Sequence, residues 1–352
     1  MDANSVAVVK ILKYGVLVLL VMVSAGCGWR AFVKKQTMTC DELGMVKHLN
    51  LSENQINQLE LLRAKPLFEF SESDLDLYLS FMYATEPDQR KRIVHYARKA
   101  LGQPYSIYLL GEFPFEMYDP DPLYILEQSD CLVFSEHMYA MALSWNWRSF
   151  FNILQRIRYK NGEISMVTRN HYTIPDWEQY NKWLLEDITD QVAPDMTKSL
   201  TVKTNRKDFF KKYNIMYDGE ETIINTTYIP PEAVPEAIKH LKEGDFVNVI
   251  RGFEEPGWCG HTGLITIGAD GTVNFLHSTP PRVREQPIIE YMEKSLAANP
   301  QKEKQKKARF YGYKFLRFRD DALERLRELD GADAPRVTGP RGILNEAPPT
   351  QP

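Results

Sequence analysis

One cysteine and two histidines stand where nucleophilic chemistry is possible: Cys131, His261 and His277. Cys131 follows Ser129-Asp130 and opens a stretch, residues 132–145, dense enough in apolar side chains to read as a largely buried helix. Ser129 or Asp130 can accept bonds from the free N–H groups at that helix start. Cys131 then falls in the first turn, where the helix dipole favours a thiolate over a thiol. The same position equally suits a free cysteine serving as a small buried hydrophobe. Position does not separate these readings, so a base must be sought elsewhere.

The chain offers seven histidines. His48, His95 and His240 fall on helix faces or linkers and read as solvated. His137 shares the helix of Cys131 at a spacing that points it away, because partners on one face lie three or four residues apart. His261 and His277 flank a hairpin instead. If Ala269-Asp270-Gly271 is a three-residue loop with Gly271 left-handed, Gly268 faces Thr272 and His277 faces Gly263. Strand alternation then sets His261 on the same face, diagonally beside His277. A two-residue loop would slip the register and separate the rings. A cysteine on a helix start with such a pair makes the constellation of a thiol hydrolase: His261 takes the thiol proton and His277 orients it.

The elements around these residues read as follows. The chain has 352 residues, 43% hydrophobic and 12% aromatic, enough for one large or two modest domains. A net charge of -4 gives no broad basic field, so no nucleic-acid partner is expected. Residues 1–27 read as an export signal: Lys10 and Lys13, an apolar run, then Ser24-Ala25-Gly26-Cys27. That ending resembles a bacterial lipobox, with Ser24 where Leu is usual, and makes Cys27 the lipidated residue of a membrane-anchored protein facing the periplasm. Residues 28–50 read as a tether and 51–322 as the catalytic domain, with a helical part over 51–104 and a core over 105–322. A tail over 331–352, rich in Pro, Gly and Ala, reads as disordered. Helices are expected over 52–62, 71–83, 87–101 and 149–159, strands over 246–250, 261–267, 272–277 and 310–318, and a solvated charged stretch over 301–307. The fold class is therefore α+β, with the Cys131 helix packed on an antiparallel sheet. With Cys27 assigned to the anchor, Cys40, Cys131 and Cys259 form no disulfide framework. Neither CxxC nor HExxH occurs, and the chemistry calls for no metal or organic cofactor.

Asp130-Cys131, Glu243-Gly244-Asp245-Phe246, His261-Thr262-Gly263-Leu264-Ile265 and Phe275-Leu276-His277-Ser278 follow the order of NlpC-type papain-like peptidases. More narrowly, the chain resembles the N-acetylmuramoyl-L-alanine amidase-like family, first catalogued as a domain of unknown function. Gly102-Gln103-Pro104-Tyr105, Arg158-Tyr159-Lys160-Asn161-Gly162 and the block Arg169, His171, Tyr172, Asp176, Trp177 match further motifs of that family, over roughly residues 70 to 320. The resemblance implies a papain-like fold and a peptidoglycan hydrolase acting on muropeptides. Its nucleophile would be Cys131, its base His261 and its orienter His277. Tyr105 would reach the oxyanion beside the Cys131 N–H, Asp130 would adjoin the site, and the 169–177 block would line a substrate groove in which Arg169 pairs with a peptide carboxylate. The implied scissile bond joins N-acetylmuramic acid to L-alanine, anhydro-muropeptides from wall turnover included. Rival readings are an endopeptidase cutting the D-Glu–diamino acid bond and a non-catalytic peptidoglycan-binding lipoprotein. Two features depart from the family or add to it. Leu132 stands where Thr usually follows the cysteine, and Cys259, two residues before His261, is placed to form an inhibitory disulfide with Cys131.

Overall fold

Capping chemistry builds the helical layer. In the computed structural model, which describes residues 36–253 and 257–333, α1 (Cys40–Met45), α2 (Glu53–Leu62) and α3 (Glu72–Thr85) each begin with a capping box, Thr39–Glu42, Ser52–Gln55 and Ser71–Asp74. α4 (Gln89–Lys99) is capped by Asp88 and followed by Gly102 at φ 89. The tether expected over 28–50 is folded from residue 36 onward. Met38 and Val46 are buried, and the Met38 N–H donates to Glu60 Oε1 at 2.9 Å. Two apolar anchors and a cap suffice to dock so short a segment. The leader over 1–27, Cys27 included, lies outside the described residues.

α5 (Cys131–Ala142) and α6 (Trp147–Arg158) complete the layer. Phe134, Met138, Tyr139 and Ile153 pack with Leu75 and Tyr78 and close on one face of a sheet through Phe246, Leu264 and Leu276. Burial of this size is the main driving force for the assembly.

The strands are β1 (Leu185–Asp187), β2 (Lys198–Thr204), β3 (Thr222–Tyr228), β4 (Phe246–Gly252), β5 (Trp258–Ile267), β6 (Val273–His277), β7 (Arg284–Pro287) and β8 (Arg309–Phe318). Six form one sheet in the order β1-β8-β4-β5-β6-β7, every neighbouring pair antiparallel, while β2 and β3 make a separate ribbon. The fold is thus α+β, as its sequence pattern indicates. Two long helices were not foreseen: α7 (Ile288–Lys304) and α8 (Ala322–Asp333). Pro287 and Pro300 read as breakers in sequence, yet Pro287 stands just ahead of α7 and Pro300 falls in its last turns. The charged stretch 301–307 is therefore largely the C-terminal end of α7. Ile288 and Met292 of α7 cover the second face of the sheet with Ile265, Phe275 and Phe315. α8 carries the chain past 322 into the first residues of the expected tail, and residues 334–352 lie outside the described set. Among the described residues no helix is long and apolar enough to cross a membrane.

Candidate active site

The start of α5 is fixed by Asp130, whose Oδ1 accepts from the N–H groups of Leu132 at 2.9 Å and Val133 at 2.8 Å. Asp130 is therefore the helix cap, through one of its two carboxylate oxygens. Ser129 ties this corner to the end of β6: its carbonyl accepts from Ser278 Oγ at 2.8 Å, and its hydroxyl donates to Gln103 Oε1 at 2.7 Å. Residues 103–105 are threaded between them, with the Tyr105 N–H on the Pro281 carbonyl at 3.0 Å and the Ser129 N–H on the Pro104 carbonyl at 3.1 Å. These bonds bring the nucleophile's turn beside the strand that carries His277.

Half-buried Cys131 lies against Thr262 of β5. Burial, together with the neighbouring Asp130 carboxylate, pushes the thiol up to about 11. The thiolate expected from the helix dipole is therefore not the resting form, because desolvation and a carboxylate outweigh a partial charge at the helix end. Tyr105, half-buried, has its phenol pushed up by burial and then by Cys131, which places the ring in the electrostatic range of the sulfur.

The hairpin takes the three-residue form. Gly271 sits at φ 83, Leu264 pairs with Leu276, and the Gly268 N–H reaches the Thr272 carbonyl at 2.8 Å. His261 Nε2 lies 2.6 Å from His277 Nδ1. Gly263, opposite His277, has to be glycine: a Cβ there would come within 2.6 Å of both the Leu276 carbonyl oxygen and the Phe275 ring. A bulge between Val249 and Ile250 in the pairing of β4 with β5 falls just ahead of His261. Phe275 stacks on His277 at 4.3 Å, and Tyr291 of α7 lies parallel to His261 at 6.2 Å and edge-on to His277 at 5.4 Å. Burial and the Arg251 and Arg284 charges push His261 down to about 3, and burial with His261 beside it pushes His277 down to about 2. Both imidazoles are neutral at rest. The far nitrogen of His277, Nε2, lies 2.9 Å from the amide nitrogen Nε2 of Gln286 on β7. His261 Nδ1 makes no hydrogen bond among the described residues.

Gln286 and Tyr291 escaped the sequence reading. No local motif marks them, and both are placed by β7 and α7, the elements whose proline-flanked ends concealed them. The other histidines also settle. His137, fully buried, bonds back to the Val133 carbonyl at 2.7 Å, and burial pushes it down to about 3. His95 is not solvated: it is half-buried on α4, 2.8 Å from the Tyr78 hydroxyl.

The 169–177 block divides. Arg169 does not face a ligand: it pairs with Glu112 at 3.0 Å and Asp119 at 2.8 Å and donates to the Leu110 carbonyl at 2.6 Å. Asp176 is buried in an ion pair with Arg206, and Trp177, fully buried, donates from Nε1 to Glu136 Oε1 at 3.0 Å. The groove-lining role expected of these three is corrected to a packing role. Their polar atoms already have partners contributed from distant parts of the chain. His171 and Tyr172, in contrast, do line a cleft of about 900 Å³, whose wall includes Cys259. Cys259 is a free thiol whose Sγ donates to the His261 carbonyl at 3.4 Å. Burial and then Cys131 push its pKa up, so the two sulfurs are electrostatic neighbours, and no disulfide joins them. Among the described residues no group of three or more His, Cys, Asp or Glu is arranged to hold a metal ion.

Fold and site together define an α+β protein with a cysteine at a helix start against Thr262 and a hydrogen-bonded histidine pair on the same antiparallel hairpin. The model of the N-acetylmuramoyl-L-alanine amidase-like family matches residues 95–297, more than half of the chain, and the protein belongs to that family. The matched span contains Tyr105, Cys131, both hairpin histidines, Gln286 and Tyr291. Among solved structures, a Legionella pneumophila protein of the DUF1460 family superimposes with a TM-score of 0.60 at 20% identity, over 70% of this chain and 94% of that one. An N-acetylmuramoyl-L-alanine amidase from Bacteroides uniformis superimposes with a TM-score of 0.51 at 22% identity, over 66% of this chain and 99% of that one. At these identities the likeness speaks for the fold. A search of curated proteins found no match.

Proposed function

We propose that the protein is a cysteine amidase that cuts the bond between the lactyl group of N-acetylmuramic acid and L-alanine in muropeptides, anhydro forms included. Family membership supports the peptidoglycan substrate. The single observation that carries the chemistry is the 2.6 Å contact between His261 Nε2 and His277 Nδ1, which leaves His261 Nδ1 open on the residue next to Thr262, against which Cys131 lies. The order of a nucleophile helix followed by two histidine strands is that of the NlpC-type papain-like arrangement, which we adopt for the fold.

Because Cys131 rests as a thiol and His261 as a neutral imidazole, the proton moves as the sulfur attacks. His261 Nδ1 accepts the thiol proton while the Cys131 sulfur bonds to the carbonyl carbon. His277, hydrogen-bonded to Nε2, steadies the imidazolium. The Cys131 N–H, one of the orphan donors of the helix start, and the Tyr105 phenol face the developing oxyanion, and one such donor lowers the barrier by about 3 kcal/mol. Collapse passes the His261 proton to the L-alanine amine and leaves a thioester. Water, deprotonated by His261, then releases the lactyl carboxylate and restores the thiol.

We also propose that the protein works in the bacterial envelope, held to a membrane by lipid on Cys27. The protein would leave the membrane fraction in a Cys27→Ser variant, and its unchanged partition would remove the anchor from the proposal. For the reaction, the purified protein is incubated with an anhydro-disaccharide tetrapeptide and the products are read by mass spectrometry, with Cys131→Ala as the control. Disaccharide plus intact tetrapeptide is the expected result. A disaccharide-dipeptide would make the enzyme an endopeptidase, and no Cys131-dependent product would leave only a binding role.

A further inference from the structure

Arg169 is tied to Glu112 and Asp119, so a different set of cations must meet any substrate carboxylate. The cleft beside Cys259 supplies one. Three ammonium groups line it: Lys203 from β2, and Lys306 and Lys307 from the turn that ends α7. Glu303 is the sole carboxylate on the wall among the described residues, and it is paired with Arg309 at 2.8 Å. Arg309 is further held by the Phe253 carbonyl at 2.6 Å. Lys203, Lys306 and Lys307 have no carboxylate partner among the described residues. The turn that presents the last two is fixed, with Lys306 at φ 54, its N–H on the Glu303 carbonyl at 3.0 Å, and the Lys307 N–H on the Lys302 carbonyl at 2.8 Å. Three exposed lysines on the wall of one cleft, none of them ion-paired among the described residues, favour an anionic ligand there.

The cleft also lies in the right place. Cys259, on its wall, donates from Sγ to the His261 carbonyl at 3.4 Å, which sets the cleft beside the hairpin. A ligand reaching from the nucleophile into the cleft would pass Tyr172 and Trp258, whose rings give the apolar contact a peptide backbone uses. We propose that this cleft binds the stem peptide of the substrate through its free carboxylates, with Lys203, Lys306 and Lys307 as specificity-determining residues. The proposal rests on the amidase reading, in which the peptide is the leaving group. A cell wall whose stem carboxylates are amidated would then be a poor substrate.

The test crosses charge on the protein with charge on the ligand. Steady-state kinetics compare two muropeptides with the same sugar, one with free stem carboxylates and one with those carboxylates amidated, on wild type, Lys306→Met/Lys307→Met and Lys304→Met. The last makes the same charge change near the helix end but outside the cleft. The expected result is that amidation raises KM about tenfold on wild type, and that the double variant raises KM about tenfold for the free acid and adds little for the amidated form. Lys304→Met should follow wild type. Equal effects of the double variant on both substrates, or an effect of Lys304→Met as large, would overturn the proposal in favour of lysines that only complement the end of α7. Binding of the two free tetrapeptides to Cys131→Ala by calorimetry gives a reading independent of turnover. Tenfold discrimination without catalysis would keep the cleft and remove the amidase, and turnover without discrimination would do the reverse.

Discussion

The β5–β6 hairpin and the 169–177 segment both gather polar and aromatic side chains, yet one leaves a valence open and the other closes all of its main ones. On the hairpin, His261, His277 and Gln286 bond in series and stop at His261 Nδ1. In the segment, Arg169, Asp176 and Trp177 each end on a buried partner: Glu112 and Asp119, Arg206, and Glu136. A series of bonds with one free end can move a proton. A closed set can only hold a shape. Residue type does not separate the two regions, and bond count does.

Substitution should break the comparison cleanly. His261→Ala removes the proton acceptor and should lower kcat by roughly a thousandfold, with the folding midpoint in urea little changed. A variant that lost its fold along with its activity would put His261 among the packing residues. Trp177→Ala should show the opposite pattern. Loss of a fully buried indole stacked at 4.8 Å on Phe246 costs about 3–5 kcal/mol of stability by cavity formation. The fraction that still folds should retain ordinary kcat, measured at low temperature where the variant stays native. A large loss of kcat without loss of stability would return Trp177 to the substrate groove.

The same contrast explains what the sequence made legible. The hairpin obeys a period of two and a turn with its own glycine signal, so the register that joins His261 to His277 follows from counting along sixteen residues. The start of α5 was equally local, since Asp130 caps from the residue before the helix. The carboxylate partners of Arg169 and Trp177 lie 41 to 57 residues away, within a loop and on a neighbouring helix, and nothing in residues 169–177 announces them. Gln286 stands on a four-residue strand too short for alternation to show. The charge state of Cys131 was misread for a related reason: the dipole is a property of one helix, whereas desolvation belongs to the packed whole.

That charge state sharpens the reaction. An established thiolate–imidazolium pair would lose activity on the alkaline side as its imidazolium titrates. Here His261 is neutral above about 3 and the thiol keeps its proton to about 11. The sign follows: raising pH cannot remove a proton the resting His261 does not carry. The value of kcat/KM should therefore hold level between about pH 6 and pH 9, with no descending limb until the thiol itself ionises. Alkylation of Cys131 by iodoacetamide should accelerate toward the same high pH. A fall in kcat/KM through about pH 8, or alkylation already maximal at neutral pH, would restore the ion pair.

The smallest effect should come from Gln286. When His261 becomes the imidazolium, its Nε2–H donates to His277 Nδ1, which leaves the proton of His277 on Nε2 facing the Gln286 carboxamide at 2.9 Å. The atom placed at that distance is the Gln286 amide nitrogen, and exchanging the two ends of the carboxamide sets its oxygen there to accept the proton and hold His277 in the one tautomer able to receive from His261. Gln286→Leu keeps the bulk and removes the acceptor, so kcat should drop about tenfold with KM unchanged, the measure of one unsatisfied buried donor. Gln286→Glu restores the acceptor and adds a charge that stabilises the imidazolium. It should recover kcat and move the acid limb to higher pH, because a carboxylate in the series raises both histidine pKa values. A loss of kcat in the Leu variant that the Glu variant fails to recover, with no shift of the limb, would reduce Gln286 to strand packing and let the proton series end at His277.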